Sequence, residues 1–163
     1  MGTWKKICCP VDLSPVSRLA MEEAAELGWR FGAAVTLLHV DEPMPLAPPD
    51  RMLASREALA MGAVERDRQL EAWRDAAGQI STTRADCVLL EGDPASEIVR
   101  FAEAGEYDVI VMGTHGRMER DGAPFGSVAQ KVVLDAPCPV LVVNARARSK
   151  RQARVASQEG AAK

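Results

Sequence analysis

The stretch Asp108-Val109-Ile110-Val111-Met112, followed at once by Gly113-Thr114-His115-Gly116, decides the fold. Ile110, Val111 and Met112 are continuously apolar instead of alternating with polar residues. A strand of that kind is buried on both faces, which points to a parallel sheet covered by helices. Leu141, Val142 and Val143 repeat the pattern near the end of the chain. Lys6 to Val11, Ala34 to Val40 and Ala85 to Leu90 are also short, apolar and bounded by turn residues. With Asp108 to Met112 and Pro139 to Val143 they make five predicted strands.

Helical periodicity fills the gaps between them. Val16, Leu19, Ala20, Ala24, Leu27 and Phe31 recur at spacings of three and four, behind Ser14 and Pro15, which suit an N-cap and a first turn. A second helix is predicted over Arg51 to Ala77, with Leu53, Ala60, Val64, Leu70, Trp73 and Ala77 on one face and Gly78 ending it. A third runs from Pro94 to about Ala104, capped by Asp93 and stopped by Gly105, with Ile98, Val99 and Ala102 apolar. A fourth starts at Ser127 and ends near Asp135, before Pro137 and Pro139. Strict alternation of strand and helix, with right-handed crossovers, predicts a single doubly wound α/β domain. Pro43, Pro45, Pro48 and Pro49 make Asp41 to Asp50 a stiff surface loop, since proline is excluded from central strands and helix interiors.

Composition narrows the function classes. The chain has 163 residues, 47% apolar and 26% charged, the profile of one globular domain. No apolar run approaches the roughly 20 residues of a membrane helix, and Met1 to Val11 does not read as a secretory signal, so a cytoplasmic protein is expected. The net charge of −3 is uneven: Ala145 to Lys163 holds six basic residues against Glu159, leaving 14 basic and 22 acidic residues, a net −8, on Met1 to Asn144. That acidic body disfavours non-specific nucleic-acid binding. The basic, alanine-rich end, 145–163, has no sustained apolar face and reads as a disordered tail. Cys8, Cys9, Cys87 and Cys138 show no CxxC spacing and read as buried reduced thiols; neither His39 nor His115 has ligand spacing for zinc.

The chemistry concentrates between the fourth strand and the fourth helix. Gly113 and Gly116 would let the backbone approach an anion, Gly126 and Ser127 open a helix whose first N–H groups favour phosphate, and Arg117 offers a guanidinium fork. Two glycines three apart mean little alone. A buried strand, GxxG, nine residues, Gly-Ser and an immediate helix are more specific.

This element resembles the universal stress protein family, whose ATP-binding members carry G, two residues, G, nine residues, G and then S or T. Gly113, Gly116, Gly126 and Ser127 match it without a gap. The resemblance runs from about Lys5 to Asn144, through Pro10-Val11-Asp12-Leu13-Ser14 and Ala136-Pro137-Cys138-Pro139-Val140-Leu141-Val142-Val143, so the domain spans 1–144. It implies a parallel sheet ordered 3-2-1-4-5, with a crevice between the first and fourth strands. Carried over by position, Pro10, Val11 and Asp12 lie on the nucleoside side and Val40 meets the adenine edge through its main chain. Met112, Gly113, Gly116, Arg117, Gly126, Ser127 and Val128 belong to the triphosphate side. ATP with Mg²⁺ is the implied ligand, and a homodimer through Pro139 to Val143 the implied assembly. Glu119 and Asp121 within the excursion, and Pro124-Phe125 before Gly126, depart from the pattern, and the two carboxylates work against a triphosphate.

The chain has no GxxxxGK[ST], no GxGxxG after the first strand and no GxSxG, which argues against Walker-type, dinucleotide and nucleophile-elbow chemistries. The loop from Gly113 to Ser127 offers no evident base and no lysine for a γ-phosphate. Regulatory ATP binding with slow or no hydrolysis is therefore expected. The alternatives are a nucleotide-independent dimeric scaffold and an adenine-nucleotide hydrolase.

Overall fold

In the computed structural model, which describes residues 4–43, 52–82, 84–115 and 125–144 (52–59 by backbone alone), nine elements alternate without exception. They are β1 (Lys6–Pro10), α1 (Pro15–Phe31), β2 (Ala34–Asp41), α2 (Met52–Ser81), β3 (Ala85–Glu91), α3 (Pro94–Ala104), β4 (Val109–Gly113), α4 (Ser127–Asp135) and β5 (Val140–Val143). All strand pairs are parallel, in the order β3-β2-β1-β4-β5, as the resemblance implied. The winding therefore reverses between β1 and β4.

The strand pleat sorts side chains into two cores. Ile7, Cys9 and Val11, with Val35, Leu37, Val109 and Val111, meet Ala20, Met21, Ala24 and Ala25 of α1 and Leu70, Trp73 and Ala77 of α2. Cys8, Leu38, Ile110 and Met112 point the other way, onto Ala95, Ile98 and Ala102 of α3 and Ala129 and Val132 of α4. All five β4 residues are buried, as the unbroken apolar run required. Burial also pushes the Cys8 and Cys9 thiols well up, so both remain protonated small hydrophobes.

Two helices differ from expectation. The buried face of α1 is Ser17, Ala20, Met21, Ala24, Ala25 and Gly28, rotated from the predicted stripe. Small residues let this helix lie close to the sheet: a Cβ on Gly28 would stand 2.8 Å from Val35 Cγ2. Phe31 is consequently turned out and packs on Trp4 at 5.1 Å. Helix α2 runs through Gly78 to Ser81 and ends where Thr82 adopts φ 54°. A glycine costs a helix only about 1 kcal/mol, and the turn beyond it carries Ser81 to full burial. At its other end Ala60 and Val64, expected on the apolar face, are exposed. Thirty residues make a helix about 45 Å long, whereas the eight-residue β2 spans about 26 Å, so the first half of α2 outruns the sheet.

The predicted caps are in place. Ser14 Oγ accepts from Ser17 N–H at 3.2 Å, and Asp93 Oδ1 from Ser96 N–H at 3.0 Å. Pro45, Pro48 and Pro49 of the predicted stiff loop, and the basic segment 145–163, lie outside the described residues.

A cleft at the strand ends

The carboxyl ends of β1, β2 and β4 meet at the reversal point, where open α/β sheets bind ligands. On one side is the turn from β1 into α1. Ser14 N–H donates to Asp12 Oδ1 at 3.0 Å, Asp12 N–H to Ser17 Oγ at 3.3 Å, and Ser17 Oγ–H to Ser14 O at 3.1 Å. These bonds hold Leu13 at φ 63°, in a left-handed conformation that a branched side chain rarely adopts. Asp12 thus braces the turn, while Ser14 is the true N-cap.

Pro10 and Val11 are already committed to the sheet. Both are buried, Val11 N–H donates to Leu38 O at 2.9 Å, and Val11 O accepts from His39 Nδ1 at 2.6 Å. Val40 differs. Leu38 O accepts from β1 and Asp41 O from Gly92 beyond β3, so even-numbered β2 residues turn their main chain toward β1 and odd-numbered ones toward β3. Val40 therefore presents its N–H and C=O where β1 has already ended at Pro10. Continuing the registers Pro10↔Leu38 and Cys8↔Ile110 sets Asp12 level with Val40 on one side and Thr114 on the other.

The other side is built by β4 and α4. Thr114, buried, donates its N–H to Val143 O at 3.1 Å and accepts from Gly126 N–H at 2.7 Å. That second bond closes the excursion and draws Gly126-Ser127 back beside Gly113. At α4 the N-cap is Gly126, which has no side chain to offer, in contrast to Ser14 at α1 and Asp93 at α3. The first turn of α4, with the Ser127 and Val128 amides that have no partner within the helix, thus starts next to the end of β4 with the positive end of the helix dipole. His115 Nδ1 lies 3.1 Å from Thr114 Oγ1.

Gly113 is constrained by packing. A Cβ there would meet Val16 Cγ1 at 2.9 Å, so the absence of a side chain lets α1 seat against β4. Met112 likewise points its side chain into the α3/α4 core. Of the expected residues, Asp12, Val40, Gly113, Gly126, Ser127 and Val128 converge on the cleft, and Gly116 and Arg117 lie outside the described residues. Thr114 and Ser17 were not singled out by sequence: a threonine after a glycine and a serine in the first helical turn carry no distinctive spacing. Among the described residues no helix is long and apolar enough to cross a membrane.

A five-stranded parallel sheet whose winding reverses between β1 and β4 defines the class of this molecule: an open, doubly wound α/β domain. The model of the Universal stress protein family matches residues 3–144, and the chain belongs to that family. Universal stress protein MJ0531 of Methanocaldococcus jannaschii is 35% identical over 143 residues, covering 86% of this chain and 82% of its own. Universal stress protein UspA from Lactobacillus plantarum superposes with a TM-score of 0.78 at 26% identity, covering 88% of this chain and 99% of that one. The universal stress protein from Archaeoglobus fulgidus in complex with dAMP has the same fold, with a TM-score of 0.62 at 23% identity over 87% of this chain and 99% of that one.

Proposed function

We propose that this protein binds ATP in the cleft between β1 and β4 as a regulatory ligand, with slow or no hydrolysis. The observation that carries the reading is the Gly126 N–H to Thr114 O bond of 2.7 Å, which brings the two halves of the glycine motif together at a helix start whose N-cap is a glycine. The first-turn amides of a helix favour an anion by hydrogen bonding and by the dipole together. Opposite them, the Val40 main chain offers one donor and one acceptor, a pattern suited to an adenine edge, and Asp12 stands between as an acceptor for ribose hydroxyls. The dAMP complex of the Archaeoglobus fulgidus relative supports an adenine nucleotide as the ligand class.

The donors on the phosphate side are amides and a hydroxyl, which suit phosphate oxygens. Mg²⁺ would travel with those oxygens and keep several waters. The described part of the loop has no lysine, in keeping with binding rather than turnover. Cytoplasmic residence belongs to the same reading.

Calorimetry with Mg-ATP tests it against Ser127→Asp. A carboxylate in the first turn favours the α4 dipole, so the variant keeps or gains thermal stability, yet it repels phosphate. Affinity is expected to fall by about tenfold or more, equivalent to roughly 1.4 kcal/mol. Wild-type protein that neither binds ATP nor carries an adenine nucleotide through purification, by mass analysis, would leave the scaffold reading in its place. Sustained ATP turnover abolished by Ser127→Ala would move it to a hydrolase.

The same reading includes a homodimer through β5. This strand is at the sheet edge, and Leu141 on it and Val133 and Leu134 on α4 are exposed. Unprotected apolar edges are ordinarily paired or covered.

A further inference from the structure

A chain of polar side chains runs behind the nucleoside side of the cleft that the binding motif does not include. His39, only 6% exposed, sits on the α1/α2 face of β2. Its Nδ1 is 2.6 Å from Val11 O, and its Nε2 3.3 Å from Asp41 Oδ1. Asp41 Oδ2 accepts from Arg66 Nη1 of α2, and the Arg66 guanidinium also donates to Asp67 Oδ1 through Nε at 3.0 Å and Nη2 at 2.8 Å. Helix α2, the end of β2 and the end of β1 are thus linked through three side chains, Arg66, Asp41 and His39.

We propose that His39 is the positioning residue of the nucleoside half of the site, aligned by Asp41 and Arg66. A carbonyl oxygen can only accept, so the 2.6 Å contact requires the proton on Nδ1. By the same rule the Asp41 carboxylate, 3.3 Å from Nε2, is matched only when that nitrogen also carries a proton, and in that form it fixes the ring's rotation, with Arg66 fixing the carboxylate. Val11 is thereby pinned on both main-chain groups, by Leu38 O and by the imidazole, one residue before Asp12 turns away from the sheet. Without the imidazole, Val11, the first residue beyond β1, loses one of its two main-chain anchors two residues before Leu13 holds a strained conformation. Asp12 would then lose its alignment with Val40, although His39 itself touches no ligand.

This inference rests on the nucleotide reading above, and its test keeps the two separable. Nitrogen-15 spectra of the ligand-free protein are expected to show His39 with a protonated Nδ1; a ring protonated at Nε2 alone overturns the proposal. His39→Ala is expected to weaken Mg-ATP binding about tenfold, the scale of a lost buried hydrogen bond. In His39→Asn, whose side-chain amide can still donate to Val11 O, most of that affinity returns. An alanine variant that binds like wild type, or an asparagine variant as weak as alanine with both folded by circular dichroism, overturns it. Arg66→Ala is expected to shift the His39 ring resonances, and unchanged resonances would remove Asp41 and Arg66 from the arrangement. Should wild type bind no adenine nucleotide, the nucleotide reading falls alone. The amide resonances of Val11 and Asp12, displaced by His39→Ala and restored by His39→Asn, still decide whether the histidine positions this turn.

Discussion

Gly113 shows how one residue type can answer two demands. Read in the sequence, it is a glycine that lets a backbone approach an anion. In the fold its missing Cβ is filled by Val16 Cγ1, which a methyl group would meet at 2.9 Å. Gly113→Ala is therefore expected to destabilise the fold by about 1–3 kcal/mol, the usual cost of overpacking. Val16→Ala in the same chain should recover part of that loss in chemical denaturation. If Gly113→Ala unfolds at the wild-type midpoint, the glycine is there for the ligand alone. Asp12 illustrates the reverse. Its place at the end of an apolar strand was legible, but its division between turn-bracing and ligand contact depends on the Ser14 amide 3.0 Å away, which only the folded turn supplies.

At the scale of elements, periodicity and capping chemistry located all nine. Ser14-Pro15 and Asp93-Pro94 begin their helices where local hydrogen bonding favours them, because a cap needs only its next three residues. Helix ends and buried faces were less legible. The stripe of α1 rotated because contact with β2 selects small residues over large ones, and α2 passed Gly78 because a single glycine is a small cost to a thirty-residue helix. The edge strand β5 carries a prediction of its own. Pro139 O and Val143 O accept from β4, so odd-numbered residues face that neighbour, and the Val142 main chain turns to the open edge. Val142→Pro thus removes an outward donor and leaves the β4 ladder intact. Sedimentation should show wild-type dimer and variant monomer; a dimer that survives the proline would exclude pairing through this edge.

For the whole molecule, the decisive contacts join residues far apart in the chain. Asp108 Oδ2 accepts from Lys5 N–H at 2.7 Å and Lys6 N–H at 2.8 Å, tying the start of β1 to the start of β4. Those two amides hold its carboxyl below the ordinary value of 3.8, with the Lys6 and Lys5 charges contributing less. A depressed carboxyl contributes stability above its unfolded value and loses that contribution as pH falls through the folded value. Asp108→Asn should lower the melting temperature by a few degrees at neutral pH, and the gap should close in acid below the ordinary value. The effect is modest because the side chain faces solvent. A gap constant across that range would remove the carboxylate charge as its cause.

Local pattern was enough for five strands, four helices, the buried character of β4 and the glycine motif at its end, because each depends on residues within a few positions of one another. Family resemblance supplied the strand order. Which face of α1 is buried, why Gly113 carries no side chain, how Gly126 returns to Thr114 and how His39 reaches Val11 were decided by tertiary structure. Each of these depends on groups that only the parallel crossovers bring together, and no local spacing records which distant atom will fill a given space.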